Sequence, residues 1–376
     1  FATALYYRSI NIPRLANAGR LNGFTMPVFS REHLRASGAA IFAATGAPAE
    51  SATVVADLLA DANAVGHDSH GVIRIPQYIN TIEQGEIDPR ATVVVERETA
   101  VSAVLDGQWG FGQVVANRAI DWGLERAGRY GVAAATIRHC NHIGRLGSYM
   151  ERVAERGMIG LLSVNSHGGG ASVAPWGGKD GRLGTNPLAA GLPDGTGGAL
   201  VLDMTTSVVA EGKVRVVRNR GEQTPPGWIV DAEGHPTTEP ADFYDEPRGC
   251  LLPFGGVMGH KGYGLGVVVD LLSGALSGAG CTKGRGLRIG NGCFLLVVDI
   301  GRFQPLGEYA AQVRDYIAYL KASPRAEGCS EILLPGELEQ RERDKRRAGI
   351  FIEDETWAQV LDCGRRLGAT LPESEA

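Results

Sequence analysis

The sequence predicts an α/β fold, chiefly because strand-like and helix-like segments alternate after residue 100. Three apolar, strand-like segments are separated by two amphipathic helical segments, in the order 101–105, 113–126, 132–137, 148–156 and 158–164. A short strand is predicted at 199–202, after a glycine-rich stretch. Strands that alternate with helices are typical of a sheet layer with mainly parallel strands. We therefore expect such a layer in the middle of the chain.

Helices are predicted on both sides of this layer. Ser30 is a suitable N-cap for a first helix that Gly46 ends, and a second helix at 49–65 ends at Gly66. Beyond the layer the patterns predict an apolar helix at 263–276, a strand at 294–299 and a charged, solvent-exposed helix at 338–348. The chain is thus expected to combine helical ends with a central sheet.

Composition excludes several classes of protein. The 376 residues carry a net charge of −5 and are 44% hydrophobic, which is typical of one large or two modest globular domains. A nucleic-acid-binding surface would need a clustered basic excess, and a membrane span would need about 18 consecutive apolar residues. Neither pattern is present, so we expect no nucleic-acid or membrane partner. Six cysteines without a CxxC pair indicate reduced thiols and predict a cytoplasmic protein.

The first 25 residues differ in pattern from the rest of the chain. Met26 is followed at once by a proline, a short apolar pair and the N-cap Ser30. We therefore expect Met26 to be the native start and residues 1–25 to be a non-native or disordered leader.

Three polar loops follow predicted strands, at 138–146, 165–170 and 203–206. In sheets of this kind, ligands bind beyond the carboxyl ends of the strands. These loops are therefore expected to converge on a functional site.

A dense group of polar residues, His67-Asp68-Ser69-His70, follows the second helix, and Arg74 comes four residues later. A histidine beside a serine is suited to general acid/base catalysis, and arginine binds a carboxylate through two parallel hydrogen bonds. A site that reduces a ketone next to an acid group needs both parts. The alternative interpretation is a helix C-cap with solvated polar residues.

A second histidine group, His139 and His142, lies in the loop at 138–146. One interpretation is an exposed loop with a capping histidine. Another is that His67, His70, His139 and His142 bind a metal ion together, with Asp68 or His167 completing its ligands. That hypothesis predicts a metal-dependent hydrolase or lyase. It is the weaker one, because pairs spaced i, i+3 bind metals best on helices and these segments are loops.

Two glycine-rich segments are candidate binding loops. The segment 181–187 is a constrained turn that presents Asn186, and the segment 259–264 places Lys261 just before an apolar helix. Free amides at a helix N-terminus plus a lysine suit a pyrophosphate, although both segments are equally compatible with plain structural turns. No strand leads into G-x-G-x-x-G and a helix, so the Rossmann fingerprint is missing.

Seven segments, in this order, resemble the malate/L-lactate dehydrogenase type 2 family, which includes ureidoglycolate and sulfolactate dehydrogenase-like enzymes. They include GHDSHGVIRIPQY at 66–78, NHIGRLGSY at 141–149, GHKGYGL at 259–265 and ILLPGE at 332–337, with others at 174–187, 202–214 and 226–240. The resemblance implies a non-Rossmann NAD(P)-binding α/β fold with a mixed sheet and flanking helices. It further implies an NAD(P)-dependent, homodimeric oxidoreductase that interconverts a small 2-hydroxy acid and its 2-oxo acid.

The resemblance also implies roles for individual residues. His70 would be the proton donor, with Ser69 and Asp203 orienting it as a relay. Arg74 would bind the substrate carboxylate, and His142 would line the pocket or replace His70 as the acid. The other implied positions are Tyr78 and Asn186 for substrate, and Ser166, Asp203, Met204, Thr205, Lys261, Gly262, Gly336, Glu337 and Leu338 for the cofactor.

Two domains are expected on the same grounds. Residues 27–100 with 315–376 would form a helical substrate and dimerisation domain, and 101–314 a dinucleotide-binding α/β domain. The sequence leaves the identity of the acid open, and it leaves NAD against NADP open as well. Arg215, Arg218 and Arg220 would suit a 2′-phosphate but are equally compatible with plain surface charge.

Overall fold

The structure is a computed structural model that describes residues 28–284 and 288–373. The expectations about Met26 and the leader at 1–25 lie outside the described residues. Within the described ranges, no helix combines the length and apolar character needed to cross a bilayer.

Helices dominate the N-terminal part of the chain. Its elements are β1 (Val28–Phe29), α1 (Arg31–Ala44), α2 (Ala49–Ala64), a 3-10 turn (Asp68–His70) and α3 (Arg74–Glu83). Ser30 caps α1 as predicted, because its Oγ accepts a hydrogen bond of 3.0 Å from the His33 amide. Gly46 and Gly66 follow α1 and α2 with φ of +88° and +83°, a conformation that favours glycine and ends each helix.

The middle of the chain supplies most of the sheet. Its elements are β2 (Val94–Glu98), β3 (Ser102–Asp106), α4 (Gly112–Tyr130), β4 (Val132–Cys140), α5 (Gly147–Ala154), β5 (Met158–His167), β6 (Leu188–Pro193) and β7 (Ala199–Met204). The four predicted strands and two predicted helices of this region are confirmed. β2 and β6 were not predicted.

The last part mixes short strands with helices. Its elements are α6 (Glu211–Asn219), β8 (Ile229–Val230), β9 (Pro236–Thr237), α7 (Ala241–Tyr244), β10 (Cys250–Leu251), α8 (Gly259–Asp270) with a π-helical extension (Leu271–Ala275), β11 (Gly290–Asp299), α9 (Leu306–Lys321), α10 (Glu337–Lys345), β12 (Ile350–Phe351) and α11 (Asp354–Leu367). The prediction that α8 begins near residue 263 was wrong by one turn. Lys261 therefore lies in the first turn of the helix, not before it.

The main sheet has seven strands in the order β2-β3-β4-β11-β5-β6-β7, and it is mixed, as the resemblance implies. The narrower expectation of mainly parallel strands was wrong, since β3 and β4 form the one parallel pair among these seven described strands. The reason is β11, which inserts between β4 and β5 and runs antiparallel to both. The βαβ pattern correctly indicated that β4 and β5 run the same way, but it carried no sign of the inserted strand.

This topology nevertheless brings the predicted polar loops to one edge. β4, β5 and β7 all run in the same direction, because each antiparallel step to β11 or β6 is reversed by the next. The loops after β4 and β7 meet directly, since the Gly147 amide donates a hydrogen bond of 2.7 Å to Asp203. The prediction that these loops converge is confirmed. We call the edge of the sheet at which they lie the polar edge.

Two large hydrophobic clusters stabilise the fold. In the first, α4 and α5 pack on the sheet through residues such as Ile120, Met150 and Leu295. The second joins α1, α2, α3 and α11 and contains the fully buried Ile41 and Phe42. Truncating side chains of this size in such a core typically costs about 2–5 kcal/mol. The division into two domains stays a prediction.

Candidate active site

Asn63 of α2 shapes the turn that carries His70. The Asn63 Oδ1 accepts a hydrogen bond of 2.8 Å from the Val72 amide, and its Nδ2 donates one of 2.8 Å to Asp68. A Cβ atom at Gly71 would lie 2.1 Å from Asn63 Oδ1, so only glycine fits there. The buried side chain of Asn63 thus holds this turn in place through two hydrogen bonds.

His70 contacts Ser69 and is a neutral imidazole at neutral pH. The Ser69 Oγ lies 3.1 Å from His70 Nδ1. Burial, then the positive charge of Arg74, then those of His67 and Arg145, lower the pKa of His70 to about 3. His70 therefore holds a second proton at neutral pH only when a nearby negative charge raises its pKa.

His142 faces His70 across the same site. The two rings are stacked, with centroids 5.4 Å apart and an interplanar angle of 27°. The Tyr78 hydroxyl lies 2.7 Å from His142 Nδ1, and Gln113 Nε2 donates to that hydroxyl at 2.9 Å. Burial and then the charge of Arg74 hold the pKa of His142 well below its usual value, and burial raises the pKa of Tyr78 to about 12.

Sequence reasoning missed Gln113. It lies in the first turn of α4, about 30 residues from the nearest histidine group in the sequence, and its side chain is fully buried. No local motif marks it. Only the packing of α4 against α3 brings it to the Tyr78 hydroxyl.

Arg74 carries an unpaired positive charge beside the two histidines. Its Nε donates to the Ser69 carbonyl oxygen at 2.6 Å and its Nη1 to Gln77 Oε1 at 2.6 Å. Both partners are neutral, and Arg74 forms no ion pair with a carboxylate of residues 28–284 or 288–373. Burial lowers the pKa of Arg74, which means that the guanidinium is incompletely compensated. Such a group favours an anionic ligand.

The backbone around His142 is held on both sides. The Asn141 Nδ2 donates to the Trp109 carbonyl oxygen at 2.8 Å, and Asn291 Oδ1 accepts from the Ile143 amide at 3.1 Å. A Cβ atom at Gly112 would lie 2.1 Å from the Asn141 carbonyl oxygen, so α4 approaches this loop closely. His142 is therefore presented by a rigid segment, as a catalytic or binding group requires.

Asp203 lies at the end of β7, near the site. Its Oδ2 accepts the hydrogen bond from Gly147, and burial raises its pKa. The Ser69 side chain bonds to His70, and in the part of the chain that the structure describes it does not reach Asp203. The structure thus brings Ser69 and His70 together, whereas the relay from Asp203 stays a prediction.

A group of four charges, of which Asp61 and Arg145 are buried, ties α10 to the site. Arg343 pairs with Asp61 at 2.6 Å and with Glu151 at 2.9 Å, and Arg145 pairs with Glu151 at 2.7 Å. The side chain of Arg145 is only 1% exposed, so removing its partner Glu151 would leave a buried charge without compensation. The two ion pairs of Arg343 hold α10 against this buried part.

One hydrogen bond and one ion pair join α10 and the segment after it to the His70 turn. Glu339 lies 3.1 Å from His67 Nε2, and Arg346 lies 2.7 Å from Asp68 Oδ1. This explains how residues 336–338, far along the sequence, come to the polar edge. Asp68 is used in this structural pair, which speaks against its role as a metal ligand.

The predicted cofactor residues lie along the polar edge of the sheet. Ser166 is near the end of β5, and Met204 and Thr205 are at the end of β7. Gly336 caps α10 with φ of +93°, next to Val201 of β7. Glu337 bonds the Leu334 amide and Lys321, and Leu338 is 47% exposed.

The start of α8 fits a pyrophosphate. No side chain caps this helix N-terminus, and the exposed Lys261 in its first turn forms no ion pair with any described residue. A Cβ atom at Gly262 would lie 2.1 Å from the Phe254 carbonyl oxygen, so glycine allows the helix start to pack closely there. Free amides and an unpaired ammonium are the groups that a dinucleotide phosphate needs.

The structure does not bring Asn186 to the histidines. Its side chain is completely buried against α8, where Nδ2 donates to the Gly266 carbonyl oxygen at 2.9 Å and to Asp270 at 3.2 Å. Its observed contacts are structural, and its predicted contact with substrate stays a prediction.

The histidines do not form a metal-binding group. His139 Nδ1 is 2.7 Å from Asp106, and its ring packs 5.3 Å from that of Trp109, away from the stacked pair. Among the described residues, no three His, Cys, Asp or Glu side chains are placed to hold a metal ion. The geometry therefore gives the hydrolase hypothesis no support.

Comparisons with known proteins identify relatives that cover nearly the whole chain. A family model described as malate/L-lactate dehydrogenase matches residues 29–361. Hydroxycarboxylate dehydrogenase B of Escherichia coli K12 is 35% identical over 345 residues, covering 90% of this chain and 94% of that protein. The solved structure of sulfolactate dehydrogenase from Methanocaldococcus jannaschii is 34% identical with a TM-score of 0.83, covering 92% of this chain and 98% of that one. Malate dehydrogenase from Pyrococcus horikoshii OT3 has a TM-score of 0.83 at 32% identity, with 94% and 99% covered.

Proposed function

The chain belongs to the malate/L-lactate dehydrogenase family, and from this premise we propose how its residues divide the work of an NAD(P)-dependent dehydrogenase. The reaction interconverts a small 2-hydroxy acid and its 2-oxo acid. One observation carries the assignment of the site. It is the unpaired guanidinium of Arg74 beside two neutral imidazoles, those of His70 and His142.

Arg74 binds the substrate carboxylate. Its Nε and one N–H of Nη1 are already used by Ser69 and Gln77, so the carboxylate meets the edge formed by Nη1 and Nη2. A planar, bidentate contact of this kind fixes the acid in one orientation. The C2 oxygen is thereby directed toward the histidines.

His70 exchanges the proton. When bound, the nicotinamide would supply a hydride to C2 in reduction and accept one from C2 in oxidation. In reduction, His70 donates its proton to the C2 oxygen as the C–H bond forms, and the neutral imidazole is reprotonated from solvent. In oxidation, neutral His70 removes the hydroxyl proton. A positioned donor of this kind contributes about 10²–10⁴-fold.

The substrate itself adjusts the protonation of His70. Burial and the charge of Arg74 are the two largest causes of its low pKa. A bound carboxylate offsets the second of these causes, so the pKa rises and His70 can hold the proton that reduction consumes.

The polar edge of the sheet binds the dinucleotide. The amides at the start of α8 and Lys261 receive the pyrophosphate, and Gly262 allows their close approach. The remaining contacts come from the ends of β5 and β7 and the start of α10, through Ser166, Asp203, Met204, Thr205, Gly336, Glu337 and Leu338.

Three further assignments, of oligomeric state, cell compartment and domains, complete the proposal. The chain forms a homodimer, which the exposed apolar side chains Val268, Leu271 and Leu276 support, each about half exposed in the single chain. It works in the cytoplasm, which its six free cysteines support. The helical part at 27–100 and 315–376 carries His70 and Arg74, and the part at 101–314 carries most of the cofactor contacts.

A panel of 2-oxo acids tests the function. Purified protein is mixed with NADH or NADPH and each acid, and the loss of the reduced nicotinamide absorbance is followed. We expect turnover with at least one acid, and its loss in His70→Ala. No turnover with any acid and either cofactor would contradict the proposal.

A further inference from the structure

The hydrogen bonds behind His142 have a direction. Gln113 Nε2 donates to the Tyr78 oxygen, so the single hydroxyl hydrogen of Tyr78 is left to donate to His142 Nδ1. The Gln113 Oε1 is buried and has no hydrogen-bond partner among the residues that the structure describes. Turning the amide over would place two N–H groups at that position, and buried unpaired N–H groups are rarer than buried unpaired carbonyl oxygens. The chain of donors therefore runs from Gln113 through Tyr78 to His142.

This direction determines the tautomer of His142. A neutral imidazole has one N–H, and Nδ1 of His142 accepts the Tyr78 hydrogen, so the proton lies on Nε2. Burial keeps both groups in these states, since it lowers the pKa of His142 and raises that of Tyr78 to about 12. A second proton on Nδ1 would also leave the Tyr78 hydroxyl hydrogen without an acceptor.

We propose that Gln113 and Tyr78 are positioning residues that hold His142 as a permanent Nε2–H donor. His142 then donates a hydrogen bond to the substrate without giving up its proton, and His70 alone exchanges one. This inference rests on the proposed function, and it extends it by separating the roles of the two histidines. Tyr78, expected to contact substrate, acts through His142 instead.

The contrast with His70 supports this separation. The partner of His70 Nδ1 is the Ser69 hydroxyl, which either donates or accepts. His70 can therefore take a second proton and still keep its hydrogen bond. If His142 gave up its Nε2 proton, it would become an imidazolate, or Tyr78 would become a phenolate, in a buried place where a negative charge is costly.

Substitutions of the two histidines by glutamine test the roles. Glutamine keeps an N–H donor but cannot act as an acid, so His142→Gln should retain turnover within about 10-fold of wild type, whereas His142→Ala should lose about 100-fold or more. His142→Gln should also keep the wild-type dependence of kcat/KM on pH, and His70→Gln should lose both turnover and that dependence. If His142→Gln is as slow as His142→Ala, or if its pH dependence disappears, His142 is an acid and the proposal is overturned.

The positioning role is tested without substrate. In protein labelled with ¹⁵N-histidine, the His142 signals, assigned with His142→Gln, should show a protonated Nε2 and an unprotonated Nδ1. Tyr78→Phe should give a mixture of tautomers, and Gln113→Met a smaller shift in the same direction. Gln359→Met, the same change at an exposed position of α11, should leave the signals unchanged.

The two failures are distinguishable. A wild-type His142 protonated on Nδ1, or a tautomer unaffected in Tyr78→Phe, overturns the positioning proposal whatever the enzyme reduces. Because this readout needs no turnover, a protein that reduces no 2-oxo acid would contradict the proposed function alone.

Discussion

Replacing Arg74 by lysine keeps the positive charge of the site but removes the planar edge that the carboxylate is expected to meet. Arg74 holds Ser69 with Nε and Gln77 with Nη1, and three N–H groups remain for the substrate. A lysine has three N–H donors in all and no fixed plane, so it cannot serve both neutral partners and a bidentate carboxylate.

The expected loss of substrate affinity follows from the number of N–H donors that remain for the carboxylate. At least one charge-assisted hydrogen bond to the carboxylate disappears, and such bonds contribute about 1.5–3 kcal/mol. This corresponds to an increase of about 10- to 150-fold in KM for the acid. We expect kcat to change by only a few-fold, because the contact is made equally in the bound substrate and in the transition state.

Steady-state kinetics of the reduction measure both parameters. The matched control is Arg129→Lys, an exposed position in the last turn of α4, which should leave KM unchanged. A double-mutant cycle uses the amide of the same 2-oxo acid, which lacks the negative charge. The wild-type enzyme should prefer acid over amide strongly, and Arg74→Lys should lose most of that preference. An unchanged KM, or an unchanged preference, would mean that the carboxylate binds elsewhere.

Three further outcomes are expected. His70→Ala should lower turnover by about 10²–10⁴-fold while the dissociation constant of the dinucleotide, measured by fluorescence titration of NADH, stays within about 3-fold. Lys261→Met should do the reverse, weakening the dinucleotide about 5- to 50-fold with little change in the KM of the acid, and equal weakening of both would contradict the assignment of α8. Stability should fall on acidification, because the folded pKa of His70 is about 3 against about 6.5 when unfolded. The unfolded state then binds more protons below pH 6.5, so urea unfolding at pH 7 and pH 5 should show a loss larger by about 2 kcal/mol in wild type than in His70→Gln.

Local patterns predicted the elements that carry the site. Ser30, Gly46 and Gly66 marked helix ends through their conformational preferences, and the alternation after residue 100 indicated the central strands. The edge where the loops meet was predictable as well, because β4 and β5 are joined by a helix and must run the same way. The histidines and Arg74 stood out because several chemically active residue types were close together in the sequence.

What could not be predicted depends on contacts between distant segments. β11 comes more than 120 residues after β5, and its place between β4 and β5 leaves no mark on either strand. In the sequence, Gln113 is indistinguishable from other polar residues at helix starts. Its role follows only from the folded position of α4, which brings its side chain to the Tyr78 hydroxyl. Asn186 shows the opposite case, a residue singled out by its sequence pattern whose observed contacts are structural. Its place in a constrained turn suggested a ligand contact, but the fold buries its side chain against α8.

The electrostatics of the site connect substrate binding with proton uptake. The charge of Arg74 lowers the pKa of both His70 and His142, but only His70 has a partner that allows a second proton. A carboxylate bound to Arg74 offsets one cause of the low pKa of both imidazole rings. Only the charge of His70 changes, because only His70 can take up a second proton. Binding of a 2-oxo acid is therefore coupled to proton uptake, and linkage requires that its affinity fall as pH rises toward the pKa of His70 in the complex and level off above it. Oxidation carries the opposite requirement, because the hydroxy acid must meet a neutral His70 and its proton leaves with the product. One guanidinium thus determines how strongly the acid is held and, through its charge, how readily the histidine beside it takes up a proton.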